Sequence, residues 1–279
     1  MLDIILDTLI DGAKLLPFLY LTYLAMEYIE NKMSDRSVEL IRRSGRLSTV
    51  IGALLGAVPQ CGFSAATASL YAGRVITRGT LIAVFLSTSD EMLPILISSK
   101  APVGLILKII GFKIVIGMAV GLAIDAVSYR RRSREDIDIH GLCENCGCED
   151  ESIFKSALVH TVQIFLFILA VTFVLNIAVE FGGEDLLRSL VLNRPVAGEL
   201  IAGLIGLIPN CASSVVITQL YLEGGMSFGA MMAGLLTGSG VGILVLFRTN
   251  RNRKDNLATL GLLYAFGVVF GVILELLPL

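Results

Sequence analysis

The pattern of apolar and polar positions divides the chain into long hydrophobic stretches, at about 15–29, 47–73, 79–98, 103–127, 156–180, 199–223, 229–247 and 257–277, joined by polar or basic segments. Most reach the roughly 20 residues that a helix needs to cross a bilayer. None shows the strict alternation of a barrel strand, so the pattern predicts an all-α integral membrane protein. The stretch at 47–73 is too short for two crossings and is broken by Pro59, Gln60, Cys61 and Gly62, which predicts either a re-entrant hairpin or one discontinuous helix. The next is interrupted by Ser87, Thr88, Ser89, Asp90 and Glu91. By contrast 103–127 reads as an unbroken span, in which Gly117 and Gly121 form a small face for close helix packing.

Residues 51–89 recur at 201–239 with a constant shift of 150 and no gap. Twelve of the 39 positions are identical, where shared apolar composition alone would give roughly three. Pro59 pairs with Pro209, Cys61 with Cys211, Ser64 with Ser214, Tyr71 with Tyr221, Gly79 with Gly229 and Ser89 with Ser239. The same register pairs Gly117 with Gly267, Gly121 with Gly271 and Asp125 with Glu275. The chain therefore reads as a duplicated half: 1–128 as a first membrane repeat, 129–153 as a linker and 154–279 as a second repeat. In each copy a proline followed by an amide side chain, Pro59-Gln60 and Pro209-Asn210, removes a helical hydrogen bond and frees carbonyl oxygens within apolar sequence. Hydrocarbon tolerates such backbone only where protein buries it or a cavity receives it, so the broken helices are the first place to look for a substrate site.

With 55% hydrophobic residues, no Trp and a mean hydropathy of +0.80, a chain of 279 residues is too apolar for a soluble core. Its net charge of −2 gives no sign of a nucleic-acid partner. The basic residues are more informative. Lys32, Arg36, Arg42, Arg43 and Arg46 form one cluster, Arg130, Arg131, Arg132 and Arg134 a second, and Arg248, Arg251, Arg253 and Lys254 a third, and each predicts a cytoplasmic segment. The loop after the stretch at 156–180 carries only Arg188 and Arg194 and is expected outside. Equivalent loops of the two halves thus differ in basic content, which predicts halves of opposite orientation, as in inverted-repeat transporters. That arrangement needs an odd number of net crossings per half and places both termini outside; three crossings plus a hairpin and five crossings fit equally. Asp3, Asp7 and Asp11 stand where a secretory signal would be basic, so the N-terminal segment is expected to be retained.

Asp90 and Glu91 are adjacent carboxylates within an apolar run, where each charge costs about 2.5–3.5 kcal/mol on insertion scales. A bound cation, protons, or a basic partner such as Arg74, Arg78 or Lys108 must offset that cost. Gly240 and Val241 stand at the matching positions, so the acids come from one half only. The glycines of Thr237-Gly-Ser-Gly-Val-Gly242 either free carbonyls for an ion or serve close packing. Gln60, Asn210, Asp90, Glu91, carbonyls and a Cys sulfur suit a divalent first-row cation better than a sugar or a lipid. Cys61 and Cys211, each directly after a break, add a thiol pair able to hold Mn(II) weakly or Zn(II) and As(III) tightly, although a buried Cys also serves as a small hydrophobe. The candidate substrate-binding set is Gln60, Cys61, Ser64, Ser87, Ser89, Asp90, Glu91, Asn210, Cys211, Ser214 and Ser239, with Asp90, Glu91, Cys61 and Cys211 as metal ligands and no catalytic residue. In the linker, His140, Cys143, Cys146 and Cys148 offer four N and S donors, enough for one soft tetrahedral ion, at a spacing that is not a standard zinc module.

The motifs Val58-Pro-Gln-Cys-Gly-Phe-Ser64 and Ile208-Pro-Asn-Cys-Ala-Ser-Ser214, the stretch Leu86-Ser-Thr-Ser-Asp-Glu91, the opening run Leu15 to Tyr28 and a Cys/His loop between the halves together resemble the ten-helix heavy-metal exporters. This bacterial and archaeal group carries the labels arsenic efflux protein and manganese transporter. The resemblance covers nearly the whole chain. It implies export of a metal ion or metalloid across the plasma membrane, with Pro59, Gln60, Cys61, Ser64, Ser87, Ser89, Asp90, Glu91, Pro209, Asn210, Cys211 and Ser214 as motif residues and no catalytic assignment. The expected function is a secondary exporter rather than an enzyme. It moves Mn2+, another divalent transition metal or arsenic out of the cytoplasm, exchanges it for protons at the carboxylates, needs no resident cofactor, and leaves room for a homo-oligomer. Two further readings stay open. An intramembrane lipid-phosphate hydrolase would want Arg or His where Gln60, Cys61, Asn210 and Cys211 stand. A passive channel would be lined by the carbonyls of 237–242.

Overall fold

The computed structural model describes residues 45–58, 61–89, 92–128, 196–209 and 211–277, together with scattered helical positions between 16 and 24 and between 154 and 173. Among the described residues every regular element is a helix. In the first half these are α1 (Gly45–Gly56), α2 (Cys61–Ala72), α3 (Arg78–Ser87), α4 (Met92–Ser98) and α5 (Val103–Ser128). In the second half they are α6 (Ala197–Gly206), α7 (Cys211–Leu222), α8 (Phe228–Thr237), α9 (Gly242–Thr249) and α10 (Arg253–Leu276). The shift of 150 survives in the backbone: α2 and α7 start at Cys61 and Cys211, α3 and α8 end at Ser87 and Thr237, and α5 and α10 start at Val103 and Arg253. Helix boundaries are thus repeated even where side chains have diverged.

Four stretches, Arg78–Ser98, Val103–Val127, Phe228–Thr249 and Arg253–Leu276, are long and apolar enough to cross a membrane. In the first, one helix ends at Ser87 and the next starts at Met92; in the third, one ends at Thr237 and the next starts at Gly242, as the polar interruption and the glycine-rich run predict. Helices α3 and α8 are the inner ones, with every residue of 79–87 and of 229–237 buried. Leu107 and Val115 on α5, and Val269 and Ile273 on α10, are exposed instead. A helix that is apolar on its exposed side as well as its packed side faces lipid rather than water. The fold is that of a multi-pass helical membrane protein.

Each half builds its inner layer in the same way. Thr77 caps α3 by accepting a 2.8 Å hydrogen bond from the Thr80 amide, and Ser227 caps α8 by accepting from the Ala230 amide at 3.2 Å. An acid from the far end of the long helix completes each cap. Asp125 accepts from the Gly79 amide at 3.2 Å and Glu275 from the Gly229 amide at 2.7 Å, a favourable place for negative charge beside the positive end of the helix. The glycines below these caps allow backbone contact between the helices. A Cβ on Gly121 would stand 2.6 Å from the Gly79 carbonyl oxygen, and a Cβ on Gly229 would stand 2.6 Å from that of Gly271. The small face predicted at Gly117 and Gly121 is therefore used inside one half, against α3.

The short helices pair across the halves. Helix α2 packs against α9, and α7 packs against α4, so each half lends its partner one short element and receives the equivalent one. At the first of these contacts a Cβ on Gly242 would lie 2.8 Å from Ser64 Cβ and 2.8 Å from the Phe85 ring, so only glycine lets α9 begin there. A second tie lies at the start of α10, which meets the end of α2 and the start of α3. The Tyr71 hydroxyl donates to Asp255 Oδ2 at 2.7 Å, and Arg78 forms an ion pair with the same carboxylate.

Candidate functional site

The breaks of α3 and α8 meet the first turn of α7 where the two halves join. A small cavity lies there, lined by Thr88, Ser89 and Met92 around the first break and by Gly238 and Gly240 in the second. Lys113 of α5, Ser213 and Ser214 of α7, and Leu235 of α8 close it. Local chemistry explains why the chain opens at these points. Helix α8 ends in Gly-Ser-Gly, and Gly240 adopts φ +52, a left-handed conformation that glycine takes without a steric penalty. Thr88 leaves the helix with its hydroxyl donating back to the Val84 carbonyl at 2.8 Å.

The charged residue of this lining is one that the sequence reading passed over. Lys113 is 1% exposed, and its ammonium donates to the backbone carbonyl of Leu235 in the other half. Leu235 belongs to the last turn of α8, where a helix leaves carbonyls without an amide partner four residues on. A cation at that end also answers the negative pole of the helix. The available signal was a lysine near the middle of a 26-residue helix whose other charged residues are Lys108 and Asp125. Its importance becomes visible only when the opposing carbonyl from the second half is in place.

The other candidates sort themselves by position. Ser89 and Ser214 line the cavity. Ser239 lies between two lining glycines, is 1% exposed, and its Oγ has no hydrogen-bond partner among the described residues. Ser64 is buried one step away, against Gly242. Ser87 is not part of the lining; its hydroxyl donates to the Val84 carbonyl at 3.1 Å, and the residue packs where α1 and α5 close on α3. Cys61 and Cys211 occupy the first positions of α2 and α7, and Pro209 sits in the bend that ends α6. Pro59, Gln60, Asp90, Glu91 and Asn210, and the linker residues His140, Cys143, Cys146 and Cys148, lie outside the described residues. Among the described residues no three His, Cys, Asp or Glu side chains converge as a metal site.

Two basic residues considered as partners for the intramembrane acids have other contacts. Arg78 binds Asp255, and Lys108 stands over the Phe228 ring, 5.4 Å from its centroid. Chemically the described lining offers hydroxyl and carbonyl oxygens with one ammonium among them. Such oxygens suit a hard or borderline cation. The ammonium opposes it: a dication about 5 Å from a lysine charge, at an effective dielectric of about 20, is disfavoured by about 7 kcal/mol.

No curated protein and no solved structure matches the chain. One family model does, in two overlapping segments covering residues 1–186 and 152–278, and its description reads "putative, 10TM heavy-metal exporter". With nearly the whole length matched, the chain belongs to this ten-transmembrane heavy-metal exporter family.

Proposed function

We propose that the chain is a secondary exporter that carries a divalent transition-metal ion, with Mn2+ as the leading candidate, from the cytoplasm across the plasma membrane. The ion is taken up between two inverted repeats. The observation that carries this reading is the cavity where both halves contribute interrupted helices, with Ser89, Ser213 and Ser214 in its lining. The ten-residue helices α3 and α8 each rise about 15 Å, half of a hydrocarbon core of about 30 Å, so breaks at their ends fall near the middle of the bilayer. The pairs α1–α2 and α6–α7 have legs of similar length and read as re-entrant hairpins. The inversion is supported by the unequal basic content of equivalent loops and by the reciprocal exchange of short helices, the pattern that a two-fold relation produces.

Apart from the Met92 thioether, the donor atoms of the described lining able to hold a cation are hydroxyl and carbonyl oxygens, which suit manganese better than thiophilic arsenic. Asp90 and Glu91 follow Ser89 directly in sequence and supply the carboxylates in this reading, and proton exchange at them drives the cycle. His140, Cys143, Cys146 and Cys148 form a cytoplasmic capture site for a soft ion, peripheral to transport. The test is flux in proteoliposomes. Asp90→Asn and Glu91→Gln abolish proton-coupled, saturable Mn2+ efflux while the protein remains folded. Wild-type flux in both variants would remove the acids from the mechanism, and unsaturable flux without proton movement would make the protein a pore.

A further inference from the structure

We infer that Lys113 is a resident counter-cation of the transport cavity, its ammonium occupying the place that the cargo takes, so that the two exclude one another. The inference rests on the exporter reading above and assigns the residue that sets charge selectivity within it.

Lys113 lies about 15 Å along α5, is 1% exposed, and binds a helix-end carbonyl contributed by the opposite half. The same cavity is lined by Ser89, Ser213 and Ser214; the Ser89 and Ser213 hydroxyls donate to the Ser87 and Ile208 carbonyls, which leaves their oxygen lone pairs able to accept from or coordinate a cation. Carbonyl and hydroxyl oxygens are what an oxygen-coordinated metal requires. An ammonium donates three hydrogen bonds and accepts none, so it is the protein group able to satisfy the same oxygens when no ion is bound. The arrangement is not repeated: Leu263 stands at the position equivalent to Lys113, and Phe85 at that equivalent to Leu235, both fully buried. Among the described residues, one ammonium therefore stands at this pair of breaks.

Three consequences follow from charge. An entering monovalent cation brings no more charge than the ammonium it must displace, whereas a divalent ion brings twice as much, so Lys113 discriminates against Na+ and K+. Cargo affinity is held below what the oxygens alone would give, which favours release. Displacing the ammonium also removes a tie between α5 and α8, so loading frees one half to move against the other.

The experiment uses the full chain, with Mn2+ binding measured by calorimetry in detergent and Mn2+ export measured in proteoliposomes. Lys113→Met and Lys113→Gln should each lower the Kd for Mn2+ by at least about tenfold and lower the maximal export rate, so that KM and turnover fall together. Na+ should compete with Mn2+ in both variants and not in the wild type. Lys113→Arg, which keeps the charge, should retain wild-type affinity. The Gln variant keeps a donor for the Leu235 carbonyl, so it separates loss of charge from loss of packing. If wild-type protein exports Mn2+ but neither neutral variant binds it more tightly, the role of Lys113 falls and the exporter reading stands. If wild-type protein neither binds nor moves Mn2+ or Zn2+, the cation-exporter reading falls, and this one with it.

Discussion

The hydroxyl of Tyr71 donates a 2.7 Å hydrogen bond to Asp255, a residue 184 positions away and in the other half of the chain. Arg78 pairs with the same carboxylate, and the Asn250 amide donates to it at 3.0 Å. Asp255 is 8% exposed, so its charge depends on these partners. The equivalent positions of the other junction are Tyr221, Phe228 and Leu105. There the Phe228 ring meets Tyr221 edge-on at 6.1 Å and Phe112 at 6.4 Å. One cross-half junction is thus ionic and its counterpart aromatic, although the backbones around them are repeats.

Arg78→Met should destabilise the protein by about 2–3 kcal/mol. Removing one partner strands a buried carboxylate, and the value is set below the full cost of breaking a buried pair because Arg78 is partly exposed and Tyr71 and Asn250 still donate. The double variant Arg78→Met/Asp255→Asn should recover at least half of that loss. Unfolding in detergent, followed as a double-mutant cycle, checks both statements, and additive losses would show that the two side chains do not act as a pair.

Substituting Gly79 or Gly229 by Ala should each cost about 1–3 kcal/mol, because the new methyl meets the backbone of the facing helix and the carboxylate that caps the turn. Gly111→Ala is the control. Nothing stands within 4 Å of a Cβ there, so the higher helix propensity of Ala leaves stability unchanged or slightly raised. Thermal unfolding of the three variants in one detergent makes the comparison.

Glu199, in the first turn of α6, carries a carboxylate that is 2% exposed and has no hydrogen-bond partner at Oε2 among the described residues. In the first half the same position is Thr49, whose hydroxyl donates to Asp125 at 2.6 Å. Glu199→Met, which keeps the length and removes the orphaned oxygen, should raise stability by about 1 kcal/mol. Transport measured alongside separates a stability effect from a use of this acid in the cycle: unchanged flux with a higher Tm is the expected pair of results.

The breaks were readable in the sequence because proline and runs of polar residues stand out against apolar surroundings, and the duplication was readable because its register never slips. The use of each position was harder to see. Ser87 and Ser89 look interchangeable two residues apart, yet one still belongs to the helix and packs against α1 and α5 while the other reaches the cavity. Asp125 and Glu275 were recognisable as a matched pair of acids, but their role as caps for Gly79 and Gly229 needed the chain to fold back by 46 residues in each half. The exchange of α2 and α4 for α9 and α7 leaves no periodic signal, since a short apolar helix does not encode which half it will meet. Lys113 went unread for the same reason: what it binds belongs to the other repeat.

Among the described helices α2 packs most extensively against α9, and 169 residues of chain separate the end of one from the start of the other. At a synthesis rate of about 5–20 residues per second, the first repeat leaves the ribosome on the order of 10–30 s before its missing neighbour exists. During that interval the face of α2 that will meet α9 has lipid, the translocon or a chaperone against it, while α3 and α1 cover other parts of the helix. Final closure of the first repeat is therefore a post-insertion event that must wait for the second.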